Sequence, residues 1–115
     1  RWYRLAAEQG ARNAQKSLAN LYAKGLGTEQ DFKEAAKWYE RAASKGDAEA
    51  QNNIGVLYFN GDGVPRDLKL AHMWFNLAAA QGNELAFENR KLVSDQMTLA
   101  DISEAQRLAR EWNPD

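Results

Sequence analysis

The side chains with the greatest chemical reach are few and scattered. One histidine, His72, and no cysteine occur in 115 residues. Disulfides and thiolate ligands are therefore excluded, and a single imidazole falls short of the ligand set of a zinc site. No neighbour in sequence makes His72 half of a catalytic triad, so it reads as a satisfied or solvent-facing helical histidine. Ser44 and Ser103 lack the glycine-flanked turn that exposes a nucleophilic hydroxyl. Asp101 and Glu104 are spaced to face one another on a helix, yet a solvated face accounts for them without paired acid–base work. The pairs Gly25/Gly27 and Gly61/Gly63 follow no strand and precede no Gly-Lys-Ser/Thr, so they suit tight connectors better than phosphate cradles. Catalysis, metals and cofactors are not expected from these residues.

What must position any remaining chemistry is a repeat. Trp2, Trp38 and Trp74 stand thirty-six residues apart, and each opens nearly the same phrase. Trp2-Tyr3 leads to Ala6-Ala7 and Gly10, Trp38-Tyr39 to Ala42-Ala43 and Gly46, Trp74-Phe75 to Ala78-Ala79 and Gly82. A fixed period in this range signals stacked supersecondary units, here an all-α solenoid. Such stacks present extended concave surfaces, which favours binding over catalysis. Between the tryptophan phrases Ala14-Gln15 matches Ala50-Gln51, Leu21-Tyr22 matches Leu57-Tyr58, and Asp31 matches Asp67.

Each unit divides into two helices. From about 47 to 60, Ala50, Ile54, Leu57 and Tyr58 form one apolar face. Asp47 is placed to accept from first-turn amides, and Gly61 to end the helix left-handed. The copy runs from about 11 to 24 on Ala14, Leu18, Leu21 and Tyr22. The second helix starts at Asp31 or Asp67, and Asp31 with Glu34 resembles a capping box. Its stripe is Ala35, Trp38, Tyr39, Ala42 and Ala43, in which the three repeat tryptophans are core and the Trp-Tyr pair fills the wedge between units. The last unit departs: Arg90 and Lys91 stand where Ile54 and Gly55 stand one period earlier, Ser94 replaces the tyrosine, and the double-glycine loop is gone. Thr98 with Asp101 marks a fresh helix start, and Ile102, Ala105, Ala109 and Trp112 recur on one face. We expect 1–10 to be a partial helix, 11–46 and 47–82 full repeats, and 83–115 a degenerate helix pair whose outer face is polar because no neighbour covers it.

Net charge is −1, so no basic field is available to hold phosphates, and nucleic acid is not an expected partner. No apolar run approaches the ~20 residues that span a bilayer. Arg1 falls inside a phrase that elsewhere follows a longer run, so the chain reads as a piece of a longer array. Trp2 and Tyr3 at that end offer a route to self-association.

These residues resemble the Sel-one-like repeat family, relatives of the tetratricopeptide repeats. The resemblance rests on Ala-x-x-x-Leu/Ile-Ala/Gly-x-x-Tyr at Ala14 to Tyr22 and Ala50 to Tyr58. The Gly-x-Gly loop, Asp-x-x-x-Ala at Asp31 and Asp67, and Trp-Tyr-x-x-Ala-Ala-x-x-Gly complete it over roughly residues 1 to 86. It implies a bacterial source, in cytoplasm or periplasm, and a right-handed superhelix of antiparallel helix pairs that scaffolds complexes or captures protein partners in signalling. A cysteine-tied branch of the family, with a penicillin-binding activity, is not implied, since this chain has no cysteine.

By analogy with tetratricopeptide proteins, the first helix of each pair lines the concave side. With the apolar stripe buried, Asn13, Lys16, Ser17, Asn20 and Lys24 are left for the groove, and one period on Glu49, Asn52, Asn53, Val56 and Asn60, with Phe59 beside them. An asparagine amide donates and accepts together, so a row of them suits a peptide backbone. Lys16 and Lys24 suit a carboxylate. Phe59, whose copy is the small Ala23, is a candidate interface anchor, with packing under the Gly61–Pro65 loop as its alternative. The expected role is non-catalytic recognition of a partner peptide or helix, with a regulatory or self-associating segment of a larger protein as the alternative.

Overall fold

The computed structural model describes residues 12–24 and 31–112, with side chains from Ala14 onward. Trp2, Tyr3, the half-unit 1–10, the first glycine loop and the side chain of Asn13 lie outside the described residues. Among those described, the chain is an all-α helical-repeat solenoid of six helices: α1 Arg12–Lys24, α2 Phe32–Ser44, α3 Ala48–Asn60, α4 Leu68–Ala80, α5 Glu84–Ser94 and α6 Leu99–Glu111.

Helix starts follow the capping chemistry. Asp31 accepts from the Lys33 and Glu34 amides, Asp47 from Ala50, Asp67 from Leu70, and Thr98 from Asp101. The expected capping box at Asp31 does not close. Its own amide donates instead to the Tyr22 carbonyl at 2.9 Å, while the Glu34 carboxylate turns to Lys37 at 3.7 Å. Asp67 repeats this tie, donating to the Tyr58 carbonyl at 3.0 Å. Each unit thereby locks the start of its second helix onto the last turn of its first. Gly61 ends α3 at φ 75°, a left-handed cap that favours glycine.

Helices adjacent in sequence pack on one another from α1 through α5. The core they share is built from alanine and large aromatics. Ala35, Ala42, Ala43 and Ala50 are fully buried beside Trp38, and Trp74 is 5% exposed. Gln51, also fully buried, clips units together: its Nε2 donates to the Ala43 carbonyl at 3.2 Å and its Oε1 accepts from Gln81 at 3.0 Å. Gly55 is what lets α4 approach α3. A β-carbon there would lie 2.6 Å from the ring of Phe75.

The last two helices break the hairpin rule. α6 does not settle on α5 but crosses back onto α4, where Trp112 meets Trp74 edge-on at 5.9 Å and Leu108 and Ala109 join the main core. The reason stands in α5. Lys91 occupies the place of Gly55, so a second helix cannot approach as closely there. The uncovered side of Phe87 is roofed instead by Arg90 and Lys91, at 5.3 and 4.5 Å from its ring. The expected polar exterior is interrupted, because Leu85, Phe87, Leu92 and Leu99 are all exposed.

His72 is neither satisfied throughout nor solvent-facing, contrary to expectation. It is 3% exposed, and its Nδ1 has no hydrogen-bond partner among the described residues. Burial first, then the charge of Arg90, lowers its pKa.

Candidate functional site

The first helices α1, α3 and α5 share one side of the stack, and a cavity of about 330 Å³ opens there. Asn20 and Lys24 contribute from α1, and Glu49, Asn52 and Asn53 from α3. Those five are groove residues expected from the spacing. Tyr39 of α2, Asn83 at the N-cap of α5, and Leu85 complete the lining.

The floor is organised by hydrogen bonds. Tyr39, buried at 4% exposure, donates its hydroxyl to Oδ1 of Asn20. That fixes the Asn20 amide with its Nδ2 as the remaining donor. Burial, helped by the negative charge of Glu49, pushes the Tyr39 phenol up to about 12, so it stays a donor at any physiological pH. Asn52 accepts at Oδ1 from Nδ2 of Asn89 at 3.0 Å, leaving its own two N–H donors. Asn83 caps α5 by accepting from the Ala86 amide at 2.8 Å. The arrangement offers fixed amide donors and acceptors, one ammonium (Lys24) and one carboxylate (Glu49). That inventory suits hydrogen bonding to a polar chain, and no nucleophile–base pair is present among the lining residues. Among the described residues no group of three His, Cys, Asp or Glu is placed to hold a metal ion, and no helix is long and apolar enough to cross a membrane.

The other expected groove residues are placed elsewhere. Lys16 pairs with Asp47 at 3.4 Å and so braces the start of α3. Val56 and Phe59 are half-buried against a second apolar cluster of Ala71, Phe75, Ala78, Ala86 and Val93. Arg66 covers the Phe59 ring at 5.8 Å and donates Nε to the Phe59 carbonyl at 2.9 Å. Phe59 thus packs toward its loop, the alternative given for it, and is not a free anchor. Asn60 is exposed at the end of α3, outside the cavity lining. Tyr39 was legible only as core. Asn83 and Leu85 carry a simple signal, since they lie one period after Asp47 and Glu49.

A family model described as the Sel1 repeat matches residues 1–10, 12–47 and 48–83. Among solved structures, a protective antigen present in uropathogenic Escherichia coli strains, displaying an SLR fold, is similar with TM-score 0.93 and 34% identity over 96% of this chain and 24% of that one. This chain therefore spans about a quarter of the antigen's length. A Sel1 repeat protein from Oxalobacter formigenes is similar with TM-score 0.76 and 44% identity, over 78% of this chain and 68% of that one. No curated protein matches.

Proposed function

This chain belongs to the Sel1 repeat family, whose members are generally protein–protein interaction modules, and we propose that it is a non-catalytic scaffold segment that holds an extended peptide of a partner protein on the side lined by α1, α3 and α5. The observation that carries the reading is the amide-lined cavity, in which Asn20, Asn52, Asn53 and Asn83 converge from three helices beside Lys24 and Glu49. Amides read a peptide backbone irrespective of its side chains. Residues tied to second helices by hydrogen bonds, as Asn20 is to Tyr39, need little reordering on binding. The degenerate pair α5 and α6 serves as the terminal cap of the array. The affinity we expect is near the micromolar range, about −8 kcal/mol.

The test is peptide capture by the full chain, read by fluorescence anisotropy, beside the Asn52→Ala/Asn53→Ala double variant. A loss of about tenfold or more in affinity is expected, from about 1–1.5 kcal/mol per backbone hydrogen bond removed. Unchanged capture by a folded double variant overturns the assignment of this face.

A further inference from the structure

We infer that the captured segment carries an aliphatic side chain beside a lysine or arginine, and that α5 selects for both. The inference rests on the peptide-binding reading above and names the kind of peptide. Helix α5 has two unlike faces. Ala86 and Val93, seven apart, are fully buried against Phe75. One residue earlier on each turn stand Leu85 and Leu92, also seven apart, with Glu88 and Asn89 between them: a stripe at i, i+3, i+4 and i+7. Leu85 is 69% exposed and Leu92 57%. A single exposed leucine needs no explanation. Two on one stripe, one of them in the wall of the cavity, form an apolar continuation of that cavity. Asn89 joins the stripe to the amide row through its bond to Asn52.

The electrostatics of this end choose the occupant's charge. Glu49 lies in the cavity wall with Leu85, Glu88 lies on the leucine stripe, and neither is ion-paired among the described residues. The nearby cations of α5 are engaged elsewhere. Arg90 donates to Oδ1 of Asn76 at 2.6 Å, and Lys91 is held over Phe87. Lys24 of α1 is the one ammonium in the cavity lining, so Glu49 and Glu88 together leave this apolar seat net negative, which fits an aliphatic residue with a cationic neighbour better than one with an acidic neighbour.

An array of random decapeptides probed with the labelled full chain tests this directly. Bound peptides are expected to be enriched in Leu, Ile or Val adjacent to Lys or Arg. Leu85→Ser/Leu92→Ser should weaken the selected peptides by about ten- to hundredfold, the worth of a leucine-sized apolar contact. Glu49→Gln/Glu88→Gln should erase the preference for Lys over Gln beside the aliphatic residue while capture persists. All four side chains can be changed with circular dichroism confirming the fold. Enrichment of acidic neighbours, absence of aliphatic selection, or unchanged binding by the double-serine variant overturns the inference and leaves the peptide-binding reading standing. Failure of the wild-type chain to capture any peptide, or capture only of immobilised copies of itself, removes that reading and the inference with it.

Discussion

Replacing Gly55 with alanine sets two known effects against each other. In an open helix the change stabilises by about 1 kcal/mol, because glycine is a poor helix former. Here the new methyl would lie 2.6 Å from Cε1 and 2.8 Å from Cδ1 of Phe75, well inside the ~3.5–4.0 Å at which carbon atoms attract. The ring cannot swing clear, since it is 1% exposed and held by Ala71, Ala78, Ala86 and Val93. Overpacking of this kind costs about 1–3 kcal/mol and more where backbone must shift. The clash therefore wins, and the net expectation is a loss of about 1–2 kcal/mol. Urea titration followed by far-ultraviolet circular dichroism should show a midpoint lower by roughly 0.5–1 M at an unchanged slope. Adding Phe75→Leu should recover part of the loss, so that the double variant costs less than the two singles together. A midpoint equal to or above wild type would mean that α4 does not press on α3 at this point. The account of why the same position, filled by Lys91, turns α6 away from α5 would fall with it.

Three further outcomes are expected. Trp38→Ala should cost roughly 3–5 kcal/mol, because the indole is 1% exposed at the junction of units and its removal opens a large cavity; a loss under about 1 kcal/mol in the same titration would place it outside the core. Asp67→Ala should cost about 0.5–2 kcal/mol through loss of the bond its carboxylate accepts from Leu70, while Asp67→Asn retains most of it. His72 has a folded pKa below its unfolded one, because burial and Arg90 disfavour the imidazolium. Its contribution to stability is thus complete above the unfolded value near 6.5 and is lost as pH falls from there through the folded pKa, at up to about 1.4 kcal/mol per pH unit. Urea midpoints of wild type and His72→Gln between roughly pH 7 and 5 should diverge in that sense, and parallel profiles would refute it.

Periodicity made the architecture legible, and with it the caps at Asp31, Asp47, Asp67 and Thr98, the left-handed stop at Gly61, and the burial of Trp38 and Trp74. It reports which face of a helix turns inward, and that suffices for elements whose contacts recur. It is silent about pairings that occur once. Lys16 occupies a groove position in phase, yet its ammonium reaches the carboxylate of Asp47 thirty-one residues away. Glu34 has the right spacing for a capping box, but the Asp31 amide it would serve is already taken by Tyr22. Tyr39 obeys the core pattern while its hydroxyl projects far enough to hold Asn20 at the cavity floor. In each case a long side chain chose among partners that only the assembled helices bring within reach.

The path of α6 and the character of the α5 face trace to the same place in the repeat. In the two preceding first helices this place holds the small Ala19 or Gly55, and at Gly55 the ring of Phe75 is admitted directly. In α5 that place holds Lys91 with Arg90 beside it, and both cations fold over Phe87. A second helix has no seat there, so α6 carries Trp112 across to Trp74. Because α5 receives no helix of its own, only Ala86 and Val93 are drawn fully into the core. Arg90 and Lys91 are spent on Phe87 and Asn76, away from the leucine stripe. Leu85 and Leu92 then remain open next to Glu49 and Glu88, with Lys24 of α1 the one ammonium in the cavity wall. The change that sends α6 back to α4 also leaves α5 with an apolar and acidic face, where α3 presents asparagines to the cavity. The path of α6 and the character of the α5 face are on this view one structural event, and a variant that restored a small residue at 91 should disturb both.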